Sequence, residues 1–268
     1  MKIAALYYYP VKSLPGVATD SLCLDRFGPA GDRRWMIVGA DGRFVTQRKH
    51  PTLARVSCSL GGDGVWITVP GEGRFPLVED AMTRSVTVWK DAVEARQAEP
   101  GAGEALSRFL GLEVEFVYMP EDTTRLACHD GLGDRHPVSF ADGFPFLVTN
   151  MASLADLNRR LPRPADIRRF RPNIVVEGAD AWAEDHWRQL SIAGVTLDLV
   201  KPCSRCNMTT VDPDTGARAR DGEPLKTLAA FRTSPDGVLF GVNAVYRGSG
   251  AISVGDPITV LDTKESDL

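Results

Sequence analysis

The sequence lacks the short motifs that identify many nucleotide-binding proteins, serine hydrolases and metalloproteases. It contains no Gly-rich phosphate loop, no Gly-x-Ser-x-Gly and no His-Glu-x-x-His. Histidine is also scarce, and none of the four has neighbours that indicate catalysis: His50, His129, His136 and His186. Any chemistry must therefore depend on other residue types.

Long apolar runs, internal repeats, low-complexity tracts and sustained heptads are absent as well. The apolar N-terminus is interrupted by Pro10 and Lys12. It is too short for the core of a signal peptide and far too short to span a bilayer. The sequence therefore predicts a cytoplasmic protein with no membrane partner.

An excess of positive charge is missing too. The 31 Lys and Arg residues against 35 Asp and Glu give a net charge of -4, so no global basic field favours nucleic acid. The five cysteines form no disulfide framework, which is typical of reduced thiols in a reducing compartment. The 268 residues are enough for one large domain or two modest ones.

Short apolar strands separated by turn residues dominate the first third of the chain. The run from Ile3 to Tyr9 predicts a first strand, and Asp41-Gly42 predicts a hairpin turn. Further strands are predicted at 56–60, 65–69, 85–89, 93–98, 114–118, 146–149, 174–177, 190–192, 195–200, 238–242 and 258–261. Helices are predicted near 104–110, 153–161 and 225–231, the second of them opened by a capping box at Ser153 to Asp156. The pattern indicates a mainly β (α+β) protein with a few short helices and closed sheets or barrels.

The polar stretch from Met119 to Pro137 shows little periodicity and is broken by two glycines. It predicts a domain boundary or a long surface loop. We expect one domain over 1–122 and a second over 123–268.

Two of the five cysteines, Cys203 and Cys206, lie three residues apart in the segment from Lys201 to Gly216. The segment reads as a loop that presents sulfur, fed by a hairpin at Ala193-Gly194. A structural zinc site, a redox dithiol, incidental thiols and a thiolate for a redox-active metal remain open. Zinc would need two more ligands, for which the pair Cys128-His129 is available.

Lys12, Arg33 and Arg171 each stand where an apolar strand meets a turn, and Arg48 belongs to the same group. Asp142 reads as a loop residue, and Asn173 as a sheet-edge amide or a polar contact to a heterocycle. Lysines and arginines at such positions are usually solvated, and an aspartate in a turn usually bonds to its own backbone. Local sequence gives no means of bringing these residues together.

The motifs taken together resemble those of MOSC-domain proteins. They run in order through most of the chain: Tyr9-Pro-Val-Lys-Ser13, Gly31-Asp-Arg-Arg-Trp35, Phe144-Pro-Phe-Leu147, Phe170-Arg-Pro-Asn-Ile174, Glu184-Asp-x-Trp187, and Cys203-Ser-Arg-Cys206 followed by Thr-Val-Asp-Pro-x-Thr-Gly216. The resemblance implies a β-barrel-like N-terminal MOSC domain packed on a MOSC β-barrel domain, with a molybdenum cofactor (Mo-molybdopterin) between them.

The same resemblance implies roles for individual residues. Cys206 corresponds to the family's molybdenum ligand, with Cys203 structural or supporting, and Asp142 corresponds to an aspartate near the open face of the metal. The residues corresponding to the family's cofactor-binding positions are Lys12, Arg33, Arg48, Arg171 and Asn173. An anionic pterin phosphate needs such local cations on a protein without a positive field of its own.

The implied reaction is reduction of an N–OH bond in a small N-hydroxylated compound to N–H plus water. Only seven residues follow Leu261 and no cysteine spacing fits an iron–sulfur cluster, so a separate flavin, haem or iron–sulfur protein is expected to supply electrons. Pyridoxal phosphate is not expected. The alternatives are a non-catalytic cofactor-binding protein, a sulfur carrier using a cysteine persulfide, or a zinc module.

Overall fold

The computed structural model describes residues 1–62, 64–127 and 136–266. Most of the ordered elements are strands. Those before residue 120 are β1 Lys2–Tyr8, β2 Val17–Thr19, β3 Ser21–Asp25, β4 Gly28–Pro29, β5 Trp35–Gly39, β6 Ser57–Gly61, β7 Gly64–Val69, β8 Gly73–Pro76, β9 Glu79–Val88, β10 Asp91–Ala98 and β11 Val114–Tyr118. Those after it are β12 Leu126–Ala127, β13 His136–Pro137, β14 Phe146–Asn150, β15 Ile174–Glu177, β16 Trp187–Ile192, β17 Val195–Arg205, β18 Thr233–Ser234, β19 Gly237–Arg247, β20 Ala251–Ser253 and β21 Ile258–Thr263.

Three α-helices occur in the described part of the chain: α1 Pro100–Leu110, α2 Met151–Arg160 and α3 Leu225–Ala229. Four single-turn 3₁₀ helices accompany them at Pro51–Arg55, Ile167–Phe170, Ala183–His186 and Asn207–Thr210. The mainly β fold class with a few short helices is therefore confirmed.

The largest sheet has the order β2-β1-β15-β14-β19-β17-β16-β21, with β18 added beside β19. The first two strands of the chain thus belong to the sheet built by the second half, since β1 pairs antiparallel with β15. A separate sheet, β5-β11-β10-β9, lies in the first half. Because β1 crosses to the other sheet, residues just after it are carried to the junction between the two halves.

The closed barrels expected from the sequence are not formed by the strand ladders of the described residues. The large sheet ends at β2 and β21. An isolated antiparallel β-bridge, between Lys2 and Pro257, joins the start of β1 to the residue just before β21. The reason lies in β1, whose residues Leu6 to Tyr8 are already paired with β2, so only its first residues can meet the C-terminal strand.

Four apolar clusters form among the described residues, and two of them hold the strands that lead to the junction. One packs under the large sheet around fully buried residues such as Val148, Ile174 and Leu197. The other packs helix α1 against the N-terminal strands, and Val11 and Leu14 belong to it. The residues that follow β1 therefore anchor in the core of the first half, whereas β1 itself anchors in the other. The division at residue 122 stays a prediction.

Local sequence signals predicted two turns correctly. Gly111 ends α1 in the left-handed region at φ 63°, where glycine is favoured because it has no Cβ. Ala193 and Gly194, at φ 47° and 82°, join β16 to β17 through the two-residue turn that Ile192 and Val195 close. That hairpin positions the far end of β17, where the cysteines lie.

The capping box predicted at Ser153 is wrong. Helix α2 begins at Met151, and the side chain of Asn150 caps it by accepting a hydrogen bond from the backbone N–H of Ala152. Ser153 is fully buried inside the helix, and its hydroxyl donates to Oε2 of Glu184 at 2.8 Å. Asn150 provides an equally good cap three residues earlier, and burial of Ser153 against Glu184 removes it from the helix end.

Glu184 is fully buried, and this gives a prediction about pH. Burial raises the pKa of Glu184 to about 7, although hydrogen bonds from Ser153 and Asn150 oppose the rise, and its Oε1 has no partner. A carboxyl that binds its proton more tightly when folded loses stabilisation as pH rises from its unfolded pKa through its folded one. At about 1.4 kcal/mol for each pKa unit, ionisation costs about 3 kcal/mol.

We therefore expect Glu184→Gln to gain thermal stability over the parent protein at pH 8 and much less at pH 5. The control is Glu177→Gln, at a carboxylate that is exposed and paired with Lys2. Melting temperatures measured at both pH values test this. A difference between Glu184→Gln and parent that does not change with pH would contradict it.

Candidate functional site

The cysteine segment is only partly a loop. Lys201 to Arg205 continue strand β17 and pair with β19, so the loop predicted from Lys201 is wrong for these residues. The pairing survives Pro202, which lacks an N–H donor, because the register shifts on both sides of it. Strand β17 therefore delivers Cys203 on a sheet, at a partly buried position.

Cys206 lies immediately after the strand, at the N-cap position of the 3₁₀ helix Asn207–Thr210. Its carbonyl accepts hydrogen bonds from the N–H and the hydroxyl of Thr209, at 3.1 and 2.9 Å. The backbone of Cys206 is thus fixed on both sides, while its thiol is exposed. The geometry holds one sulfur in place and leaves it accessible.

The acidic turn that follows is docked onto the first half of the protein. Asp212 accepts hydrogen bonds from the N–H and hydroxyl of Thr215, both at 2.9 Å. Gly216 has φ 70°, and a Cβ there would lie 2.9 Å from the carbonyl oxygen of Pro51. Only glycine allows so close an approach.

Lys12 reaches the same region from the end of β1. Its side chain is only 7% exposed, and its Nζ donates to the carbonyl of Phe140 at 2.8 Å and to the carboxylate of Asp142. Burial lowers the pKa of Lys12, and the charge of Asp142 opposes that shift. The lysine is therefore a buried cation that a carboxylate holds at the edge of a cavity.

Two buried polar residues, Asp32 and Asn173, hold the side chain of Arg33 in place. Its guanidinium donates to Asp32 and, at 3.1 Å, to Oδ1 of Asn173. The amide of Asn173 donates in turn to the carbonyl of Tyr7 at 3.2 Å and to Asp32 at 3.3 Å. Desolvation raises the pKa of Asp32, and Arg33 works against that rise. Asn173 is 1% exposed, so its side chain orients Arg33 and has little surface left for a ligand.

Arg171 completes the cationic wall. Its guanidinium lies 4.2 Å from the centre of the Tyr9 ring, and that of Arg33 lies 4.4 Å from the same ring. It donates to the carbonyl of Leu14 at 2.6 Å. Desolvation lowers the pKa of Arg171 to about 10, so it stays cationic at neutral pH. Within the described residues it forms no ion pair with a carboxylate.

A single cavity, hereafter the central cavity, joins these elements. Its interior offers about 160 Å³ of space and is partly open to solvent. All seven residues singled out from the sequence line it: Lys12, Arg33, Arg48, Asp142, Arg171, Asn173 and Cys206. Cys203, Arg169 and Arg205 line it as well. Among the described lining residues, six are basic and one is acidic, in a chain whose net charge is -4.

Arg205 lies between the two cysteines and serves the first of them. Its NH1 donates to Sγ of Cys203 at 2.8 Å, and its NH2 donates to the carbonyl of Phe170 at 2.6 Å. Its buried Nε has no hydrogen-bond partner. Arg205 therefore adds a positive charge beside Cys203, in a cavity that is rich in cations.

Asp142 stands at the mouth of the central cavity, and its side chain is 66% exposed. Besides Lys12, the indole Nε1 of Trp89 donates to it at 3.2 Å. Desolvation acts to raise the pKa of Asp142, but Lys12, Arg48 and Trp89 outweigh it and hold the pKa well below its usual range. Its carboxylate is therefore ionised at any physiological pH.

Two residues of this site were missed from the sequence. Arg125 is 5% exposed, and it donates to the carbonyls of Ser139 and Ala141 at 2.8 and 2.6 Å, which fixes the segment that carries Asp142. It lies in the polar stretch read as a boundary, where no periodicity marked it. Trp89 was read as the end of a strand, and an exposed tryptophan beside a Lys-Asp turn was the available signal.

Backbone strain is concentrated here. Of the described residues other than glycine, six have positive φ, and four of these line the central cavity or contact Asp142: Ser13, Arg33, Trp89 and Arg171. Such conformations cost about 1–3 kcal/mol each and persist where the surroundings enforce them, often at functional sites.

The described residues contain no group of three or more His, Cys, Asp or Glu side chains able to hold a metal ion. Cys128 and His129, the proposed extra zinc ligands, lie outside the described residues. One exposed thiol is therefore insufficient for a metal by itself, and the remaining ligands would have to come with a cofactor.

Comparison with known families matches two models to this chain in order. The MOSC N-terminal beta barrel domain matches residues 1–113, and the MOSC domain matches residues 135–259. The gap between them, residues 114–134, includes most of the polar stretch from Met119 to Pro137.

Curated relatives match almost the whole chain. The mitochondrial amidoxime-reducing component 1 of Homo sapiens is 34% identical over 97% of this chain and 82% of its own length. The mitochondrial amidoxime reducing component 2 of Bos taurus is 33% identical over 96% and 82%, and the component 1 of Danio rerio is 32% identical over 96% and 83%.

Proposed function

Because this chain belongs to the MOSC-domain family, which includes the mitochondrial amidoxime-reducing components, we propose that it is a molybdenum-cofactor oxidoreductase. Its substrates are small N-hydroxylated compounds. The N–O bond is broken at the expense of two electrons and two protons, which gives the N–H product and water. The observation that carries the proposal is an exposed, rigidly held thiol facing a wall of cations across one cavity.

The residues of the central cavity fit such a cofactor. Arg171 has no carboxylate partner among the described residues, and the buried Nε of Arg205 has no acceptor. A phosphorylated pterin supplies the missing negative charge, and Arg and Lys side chains bind phosphate well. When bound, the cofactor supplies the two-electron redox chemistry that no side chain of this protein provides.

The two cysteines of the central cavity differ in their suitability as metal ligands. Thiolate is the ligand preferred by soft, redox-active metals, and Cys206 offers one on a fixed backbone. Cys203 is bonded to Arg205 and only partly exposed. We therefore assign the metal to Cys206 and a supporting role to Cys203.

Asp142 is assigned the substrate side. Its ionised carboxylate accepts the N–H or O–H of a substrate at the mouth of the cavity, and Lys12 and Trp89 fix where that acceptor lies. The low pKa of Asp142 makes it an acceptor of hydrogen bonds at neutral pH, and not a proton donor. Because the carboxylate is already ionised, substrate binding through Asp142 is expected to stay constant from pH 6 to pH 8.

Electrons are proposed to come from a separate donor protein of the flavin, haem or iron–sulfur type. The helices of the described residues include none with the length and apolar character needed to cross a membrane. The relatives are named as mitochondrial proteins, and the cytoplasmic location of this chain stays a prediction. The alternative function is cofactor binding or sulfur transfer by a cysteine persulfide, without reduction of substrate.

Metal and pterin analysis tests the proposal directly. Protein purified from a host that makes molybdenum cofactor is expected to contain about one molybdenum and one pterin per chain, and to reduce benzamidoxime with dithionite-reduced methyl viologen. The same protein from a host unable to make the cofactor is the control and should be inactive. Absence of both molybdenum and pterin from the first preparation would refute the proposal. A persulfide on metal-free native protein would instead favour the alternative.

A further inference from the structure

Trp89 helps to hold Asp142 through its indole N–H, a task that does not require the large exposed ring. Its side chain is 47% exposed, although its indole Nε1 donates to Asp142 at 3.2 Å. It lies at the tip of the hairpin between β9 and β10, where Val88 pairs with Asp91. The ring is therefore displayed at the mouth of the central cavity.

The backbone of Trp89 is strained. It occupies the first position of a two-residue hairpin turn with φ 57°, a conformation for which glycine is strongly preferred. Glycine would adopt this conformation without strain, so the tryptophan is kept here at a conformational cost. Strain of this kind at the edge of a site indicates that the side chain is needed there.

The ring is also held in one orientation. Its neighbours are the ring of Phe44, edge-on at 5.2 Å between centroids, and the guanidinium of Arg48 at 4.7 Å. Arg48 lines both the central cavity and a second, open depression, hereafter the side cleft, whose walls include Phe44, Trp89 and Leu112. The side cleft thus adjoins the central cavity at Arg48, and Phe44, Trp89 and Leu112 give it an aromatic and apolar wall.

We infer that Trp89 determines substrate specificity by presenting an aromatic wall next to Asp142, so that flat, aryl-substituted N-hydroxylated compounds are preferred over small aliphatic ones. The polar N-hydroxyamidine end bonds to the Asp142 carboxylate while the aryl group packs on Trp89 and extends into the side cleft. This inference rests on the proposed function.

The test compares benzamidoxime with acetamidoxime, using dithionite-reduced methyl viologen so that no donor protein takes part. We expect Trp89→Leu to lower the ratio of kcat/KM for benzamidoxime over acetamidoxime about threefold to tenfold, the range of aromatic contact energies. Trp89→Phe keeps a ring but loses the indole donor, and it should retain most of the ratio. Trp66→Leu is the matched control, because Trp66 also has an arginine over its ring, Arg74 at 4.5 Å, and lies outside both cavities.

A binding measurement separates recognition from turnover. Calorimetric affinity of the cofactor-loaded protein for benzamidine relative to acetamidine should fall in Trp89→Leu by a similar factor and stay unchanged in Trp66→Leu. An unchanged ratio in Trp89→Leu, or an equal fall in both tryptophan variants, overturns the inference while the proposed function stands. A parent protein that contains no molybdenum and reduces neither compound refutes the proposed function itself.

Discussion

Replacement of Cys206 with serine is expected to abolish turnover while the fold survives. A serine hydroxyl stays protonated at neutral pH and is a hard ligand, so it cannot replace a thiolate on a soft, redox-active metal. The fold tolerates the change because the thiol makes no capping hydrogen bond and the position is the N-cap of a 3₁₀ helix, where serine is favoured. Reduction of benzamidoxime, together with circular dichroism and melting temperature, measures both parts.

Cys203→Ser is the matched control, three residues away in the same cavity. It should retain most of the activity, since Cys203 interacts with Arg205 and is not the exposed thiol. Equal loss of activity in both variants would refute the assignment of the metal to Cys206.

Loss of Arg171 is expected to empty the central cavity of cofactor. Arg171→Ala removes a cation that forms no ion pair in the described part of the chain, together with its hydrogen bond to the Leu14 carbonyl and its contact with the Tyr9 ring. A charge-assisted hydrogen bond contributes about 1.5–3 kcal/mol, which corresponds to about a tenfold to hundredfold lower affinity. Pterin and molybdenum content per chain, measured at equal expression, tests this.

Three further variants sharpen that experiment. Arg171→Gly removes the same charge and also relieves the positive φ, so it should lose cofactor without losing stability. Arg33→Ala should lose cofactor and also melt earlier, because it leaves the buried Asp32 without its cation. Arg168→Ala is the control, since Arg168 pairs with Asp166 and Asp214 and does not line the central cavity. Full occupancy in both Arg171→Ala and Arg33→Ala would remove their role in phosphate binding.

Elements with a strong local pattern could be predicted from the sequence. The strands Val114–Tyr118 and Ile174–Glu177 have the predicted bounds, because each is a continuous apolar or β-branched run between clear breaks. Helix α1 ends at Gly111 as expected, but it begins four residues before the predicted start, at Pro100. The first turn, Pro100-Gly-Ala-Gly, contains no large apolar residue, so periodicity does not mark it.

The site could not be predicted in the same way. Lys12, Arg33, Arg171 and Cys206 meet only because β1 leaves its own half to pair with β15, and nothing in the local pattern of β1 names that partner. The ordered set of family motifs, and not the residue spacing, indicated that these four residues belong to one site. The motifs also placed Asn173 among the cofactor-binding residues. Its buried amide oxygen instead accepts hydrogen bonds from Arg33 and from the backbone N–H of Leu147.

Neither the local sequence pattern nor the family motifs indicated a role for Arg125 or Trp89. Arg125 works through carbonyl groups, which any segment of backbone offers, so no partner residue in the sequence accompanies it. Trp89 contacts Asp142, which lies 53 residues further along the chain. Both are examples of long-range polar contacts, which single-sequence patterns do not encode.

The pairing of β1 with β15 also sets an order of events during synthesis. When the ribosome has made the first strand, its partner at Ile174–Glu177 is still more than 150 residues away. Cys206 follows later still, and β19, which supports its strand, comes after that. Lys12, Arg33 and Arg48 therefore emerge well before Arg171 and Cys206, so a cofactor can be captured only after the later half of the site has been made. Cells that make this protein must keep the first strand from aggregating until then.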